Sequence, residues 1–202
     1  MTRIKYFIQQ SWVMMLASLL FGLTLATAQS KLGPLIAEQE QIRMNRLMQD
    51  LITEASDFNL IMEDLIVIPS EGKVLNTKVY KAKDEDGRKV GYAFTAQGPG
   101  WGGTLKLVIA VDRTFEKILG FEVLSCNETP NLGDKIGDDE FRMQFAGASV
   151  ETLEVTKIGD RSDIDNKIVA ITGATFSSSY VVDIFNKHLI PVKEQLHSRG
   201  LL

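Results

Sequence analysis

Between Tyr6 and Ser30 the chain carries no charged residue. Its apolar centre, Trp12 to Ala28 (WVMMLASLLFGLTLATA), with Tyr6, Phe7 and Ile8 ahead of it, satisfies the roughly 17–25 residues a membrane-spanning helix needs. A buried core helix would show a polar face, and this run has none. Arg3 and Lys5 precede it, so the positive-inside rule leaves the N-terminus in the cytoplasm and exports the rest of the chain. The rival reading is a cleaved signal peptide, for which Ala26-Thr27-Ala28 would serve as the cleavage site. The run is longer than the roughly 7–15 apolar residues usual in such peptides, which favours an anchor. Either way the residues beyond the apolar run lie outside.

Setting residues 1–28 aside removes Arg3 and Lys5 from 22 basic residues and leaves all 26 acidic ones. The exported part, with 20 basic residues against 26, has a formal charge of −6. It has no basic block, which excludes nucleic acid as a partner by charge. One cysteine, Cys126, and two distant histidines, His188 and His197, supply neither an internal disulfide nor a structural zinc site. Redox chemistry, if the chain performs any, needs a borrowed cofactor.

The texture after the apolar run changes twice. Residues 36–55 (IAEQEQIRMNRLMQDLITEA) set apolar side chains among charged and amide ones at near-helical spacing, which predicts a helical stalk. Gly33 and Pro34 are the expected place for a bend or restart before it. Alternation then takes over. Strands are expected over 76–83, 89–96, 104–112 and 117–124, with Asp84-Glu85-Asp86-Gly87 as a hairpin turn. A short helix over 138–145, strands near 153–158 and 167–171, and a closing helix over about 176–198, interrupted or kinked at Pro191, complete the reading. Strands followed by a closing helix predict an α+β fold with a mostly antiparallel meander. The expected domains are 1–31, N-terminus and anchor; 32–56, stalk; and 57–202, the exported domain.

Three loops invite a ligand. Gln97 to Gly103 (QGPGWGG) offers glycines and Trp101, though a wide turn with a buried tryptophan explains it locally. Residues 127–135 (NETPNLGDK) offer amides, a carboxylate and an ammonium, as a bland surface loop also would. Thr172 to Ser179 (TGATFSSS) lies at the start of the last helix, where free amides and the positive dipole end suit a phosphate. On local features alone an N-cap is the preferred explanation of the same hydroxyls.

Taken together, these motifs carry a resemblance. Thr172-Gly173-Ala174-Thr175-Phe176-Ser177 resembles the Ser/Thr-Gly-Ala-Thr-x-Ser/Thr signature of domains that bind FMN covalently, found in the G subunit of the Rnf ion-translocating complex and the C subunit of the sodium-pumping NADH:quinone reductase. Glu128 to Ile136 (ETPNLGDKI) resembles that family's Glu-Thr-Pro-Gly-Leu-Gly-Asp-Lys-Ile, and the Asp-Lys-Ile ending is closer to the Rnf protein. The resemblance implies covalent FMN on Thr175, placed by a flavin transferase using FAD and magnesium. It implies that Thr172, Gly173, Ala174 and Ser177 help hold the phosphate, and that Trp101, Glu128, Thr129, Leu132, Gly133 and Lys135 lie around the flavin. It implies an electron-transfer subunit on the outer face of the cytoplasmic membrane, with other subunits of a redox complex as partners. An exported FMN module serving another membrane redox partner or a regulator, and a structural subunit that has lost its flavin, are the alternatives. The chain departs from the pattern at Val169, where the family has an acidic residue, and at Asn131, where it has glycine. Cys126, where relatives carry histidine, is read as an inert thiol or a flavin neighbour.

Overall fold

In the computed structural model the backbone is described for residues 2–67 and 75–202, and the side chains for 11–63 and 77–202. The side chains of Arg3, Lys5 and Tyr6 to Ile8 lie outside the described residues. Two compact units emerge, one up to Arg43 and one spanning Met44–Leu202.

Helix α1, Thr2–Leu51, is a single helix of 50 residues that continues through Gly33 and Pro34. The expected restart does not occur. Lys31 and Leu32 before the Gly-Pro pair, and Leu35, Ala37 and Glu38 after it, are strong helix formers, so a helix long in each direction absorbs one missing hydrogen bond. The helix is long and apolar enough to cross a membrane, and Trp12, Leu19, Phe21 and Leu23 are exposed along it. Three hydroxyls in its apolar run are satisfied internally: Ser18, Thr24 and Thr27 donate to the carbonyls of Met14, Leu20 and Leu23 at 2.7, 3.0 and 2.9 Å. A bilayer demands this, because it offers those groups no water.

In the second unit five strands form an antiparallel meander in the order β1-β2-β3-β4-β5. They are β1 Asp57–Val67, β2 Leu75–Lys83, β3 Lys89–Pro99, β4 Thr104–Asp112 and β5 Ile118–Ser125. The β2–β3 turn is as expected. Gly87 takes φ +76° and donates its N–H to Asp84 O at 3.0 Å, and Asp84 Oδ1 accepts from Arg88 N–H at 2.7 Å. Strand β1 is not evident in the sequence. Its register against β2 shifts between Leu60 and Met62 and again before Leu65, and each irregularity resets the two-residue alternation by which a strand is recognised.

Strand β4 is buried on both faces. Leu105, Leu107, Ile109 and Val111 join a core with Tyr92, Phe94 and the ring cluster of Phe121, Phe141, Phe145 and Phe185. Val108 and Ala110 turn to the opposite face, where Tyr80, Ala82 and Ala93 meet Met44, Met48 and Ile52 from the end of α1.

After β5 come a 3₁₀ turn at Gly133–Gly137, the short helix α2 at Asp139–Arg142 and a second 3₁₀ turn at Met143–Phe145. Two three-residue strands, β6 Glu154–Thr156 and β7 Lys167–Val169, pair in parallel. Helix α3, Thr175–Ser198, closes the fold and continues through Pro191. Val181, Ile184, Phe185, Leu189, Val192 and Leu196 pack into the core on both sides of that proline, so burial compensates for the lost bond.

His188 on α3 is fully buried. Its Nδ1–H donates to Ile184 O at 2.7 Å, and Nε2 has no protein partner among the described residues. Burial holds its pKa below the ordinary value of about 6.5, with Lys187 contributing in the same direction. The unfolded chain therefore takes up a proton that the folded one resists. His188's contribution to stability is complete above about pH 6.5 and declines as pH falls below it. The expected result is that His188→Leu narrows the fall in melting temperature between about pH 7.5 and about pH 5.5, measured by circular dichroism. An unchanged fall would contradict it.

Candidate functional site

The segment leading into α3 is held by side chains from three directions. Buried Gln144 clamps Val169, accepting its N–H at 2.8 Å and donating to its carbonyl at 3.2 Å. Ala170 N–H donates to Thr156 O at 2.8 Å, and Arg161 Nη2 donates to Ala170 O at 3.3 Å. Ser178 Oγ then accepts from Ile171 N–H and donates to Ala174 O, both at 3.0 Å. Between these anchors the chain turns through Gly173 at φ +83°, a conformation that favours glycine. Thr172 and Gly173 are left exposed at the tip. Val169, in the position where an acidic residue is expected, is buried instead, and a Cβ at Gly159 would come within 3.0 Å of its Cγ2.

Helix α3 has no side-chain cap. Its N-cap is Ala174, and neither Thr172 nor any serine bonds to the first amides, so the capping explanation of this segment fails. The amides of Thr175, Phe176 and Ser177 face outward as donors with a positive dipole end behind them, and the first turn carries no acidic residue.

A cleft of about 250 Å³ opens beside that helix start, lined by Trp101, Thr129, Leu132, Gly133, Gly173, Ala174, Phe176 and Ser177. Three loops distant in sequence thus meet in one place. Asn131 takes φ +62°, a conformation asparagine tolerates in place of glycine. The turn is closed by Thr129 O, which accepts from the amides of Leu132 at 3.2 Å and Gly133 at 3.0 Å. Trp101 is 65% exposed rather than buried as a plain wide turn would have it, and it stacks on Phe176, with ring centroids 5.7 Å apart at 30°.

Of the residues expected at the site, seven line the cleft: Trp101, Thr129, Leu132, Gly133, Gly173, Ala174 and Ser177. Glu128 lies buried behind it, with Oε2 accepting from Ser177 Oγ–H at 2.7 Å and Oε1 from Trp101 N–H at 2.7 Å. Thr172 and Thr175 flank the opening without lining it, and Lys135 lies exposed in the 3₁₀ turn beyond. Sequence reasoning does not single out Phe176. It occupies the variable position of the motif, and only its aromatic character at a helix start could have flagged it. Cys126 is half-buried and does not line the cleft. Its Sγ accepts from Glu128 N–H at 3.4 Å. Burial pushes the thiol pKa up, and the charges of Glu128 and Asp134 add to that, outweighing the amide, so it is a poor nucleophile.

The donor set suits a phosphate on an aromatic ligand: outward amides at a helix start, two exposed or half-exposed threonines, and a Trp–Phe pair beside small residues. Gly173 maintains this room, since a Cβ there would meet Leu132 Cδ2 at 3.1 Å.

Comparisons with known proteins agree. Residues 100–189 match the FMN-binding domain family. The chain is 32% identical to the G subunit of the ion-translocating oxidoreductase complex of Methanosarcina acetivorans over 179 residues, covering 89% of this chain and 88% of that one. It is 31% identical to the G subunit of the proton-translocating ferredoxin:NAD(+) oxidoreductase complex of Clostridium ljungdahlii over 160 residues, covering 79% and 77%. In fold it is similar to the crystal structure of Shewanella oneidensis NqrC, with a TM-score of 0.57 at 20% identity over 72% of this chain and 73% of that one. By this whole-length similarity, and with an FMN-binding domain that contains the cleft, the chain belongs to the RnfG family, the G subunits of ion-translocating oxidoreductase complexes.

Proposed function

We propose that this chain carries FMN as a phosphoester on Thr175 and relays electrons between other subunits of a membrane-bound, ion-translocating complex. It is anchored by α1, with the cleft-bearing domain on the outer face of the cytoplasmic membrane. The observation that carries the attachment site is the state of the hydroxyls at the start of α3. Ser177, Ser178 and Ser179 all donate to protein acceptors, at 2.7, 3.0 and 2.9 Å. Thr175 is half-exposed, its Oγ1 makes no hydrogen bond among the described residues, and it stands beside amides that also lack acceptors. Within the first turn of α3 it is the hydroxyl left available for a bond to phosphorus; Thr172, also exposed, lies before the helix and outside that turn.

When bound, FMN supplies the electron chemistry. The protein's part is to hold the phosphate on the amides of Thr175, Phe176 and Ser177 and to seat the ring system near Trp101, Leu132 and Phe176. All three of those side chains are exposed, which suits transfer to a docked partner. Maturation by a flavin transferase fits the accessible position of Thr175.

Co-expression with a flavin transferase, followed by a denaturing gel, tests this reading. A flavin-fluorescent band is expected for the parent chain and none for Thr175→Ala. A band that persists in the variant would place the attachment elsewhere. Buried Val169 favours a second reading, a structural subunit without flavin, and absence of fluorescence from the parent chain would support it.

A further inference from the structure

Glu128 joins three segments that sequence keeps far apart. It is 8% exposed. Oε1 accepts from the amides of Trp101 at 2.7 Å and Gly102 at 3.4 Å, and Oε2 accepts from the Ser177 hydroxyl at 2.7 Å. Two glycines make room for it. A Cβ at Gly100 would collide with Oε1, and a Cβ at Gly133 would lie 2.7 Å from Oε2. Gly100, Gly133 and Ser177, from two loops and α3, thus all border a single carboxylate. Three protein donors take up three of the roughly four acceptor positions of the carboxylate, so its contacts are spent chiefly on the protein.

We propose that Glu128 is a positioning residue of the site: it acts through Trp101, Gly102 and Ser177, holding the tryptophan loop and the first turn of α3 in the geometry that forms the cleft. Its purpose rests on the reading of the cleft as a flavin seat, whereas its geometry does not. Reach matters here more than charge. Glutamine keeps the length, offers its carbonyl to the two amides and donates its NH₂ to Ser177 Oγ, which can accept. Aspartate keeps the charge but is one methylene too short to reach both sides.

Hydrogen–deuterium exchange on the full chain in detergent, prepared without flavin, tests the geometry. In Glu128→Ala and Glu128→Asp, the amides of Trp101 and Gly102 are expected to exchange at least about tenfold faster, while those of β4 between Leu105 and Val111 keep their parent rates. Glu128→Gln is expected to restore most of the protection. Unchanged exchange at Trp101 and Gly102 in the alanine and aspartate variants would overturn the proposal, as would an equal rise throughout β4, which marks general destabilisation. Flavin loading by co-expression then tests the purpose: loading is expected to fall in the alanine and aspartate variants and recover in Glu128→Gln. Full loading of Glu128→Ala would overturn the positioning role. If the parent chain takes no flavin, the flavin reading fails, and the exchange rates alone decide for or against the clasp.

Discussion

A fragment beginning at Asp57 is expected to aggregate, whereas one beginning near Lys31 is expected to fold. Composition divides stalk from domain at about residue 57, but Met44, Met48 and Ile52, all on the stalk side, are buried against Tyr80, Ala82, Ala93, Val108 and Ala110. The fit is close. A Cβ at Gly91 would come 3.3 Å from Ile52 Cδ1, and one at Gly120 would come 3.1 Å from Leu51 Cδ2. Burying a large aliphatic or Met side chain contributes about 1.5–3 kcal/mol, so losing three removes roughly 5–9 kcal/mol. That is comparable with the whole net stability of a typical domain, about 5–15 kcal/mol. The truncation also uncovers one face of the sheet, an exposed apolar surface of the kind that drives association. Soluble yield, size-exclusion profile and thermal melting of the two fragments give the answer. A monomeric fragment from Asp57 that melts within a few degrees of the longer one would show that the stalk's end is dispensable.

The same packing shows how far the sequence is legible. Strands β2 to β5 and α3 follow from alternation and helical spacing, because each has one dominant face or, in β4, an unbroken apolar run from Leu107 to Val111. Strand β1 does not, since its irregular register erases the period. Strands β6 and β7 fall where the sequence places them, near 153–158 and 167–171, but their parallel pairing is not legible: three residues per strand carry no period, and the pair is flanked by the clamps from Gln144 and Asn186, the latter bonding both the N–H and the carbonyl of Leu153 at 2.9 Å. At the site, motif resemblance brings forward residues that the fold assembles around one cleft. Two features escape it. Phe176 becomes significant only once Trp101 is seen stacked on it, and the link that Glu128 makes between the tryptophan loop and α3 is visible only when the partners of its carboxylate are known.

Gly102→Ala is expected to remove flavin loading while leaving the fold nearly intact. A Cβ on Gly102 would be driven into the carbonyl oxygen of Asn127 and toward its carbonyl carbon at 3.0 Å, both main-chain atoms that cannot rotate away. The tryptophan loop must then separate from the loop carrying Glu128. The Trp101 N–H···Oε1 bond, now 2.7 Å, is the first contact broken, and the Trp101–Phe176 stack, worth about 0.5–1.5 kcal/mol, goes with it. The core is spared because residues 101–104 are exposed, whereas the buried part of β4 begins at Leu105. Overpacking of this kind costs about 1–3 kcal/mol, a modest fall in melting temperature. A displacement of about 1 Å at a site that must orient its ligand can cost about a hundredfold. In-gel flavin fluorescence, normalised to protein, should therefore drop at least about tenfold, while circular dichroism retains a cooperative melt. Parent-level fluorescence in Gly102→Ala would mean that the tryptophan loop is not part of what the flavin or its transferase requires, and the cleft's function would then rest on the start of α3 alone.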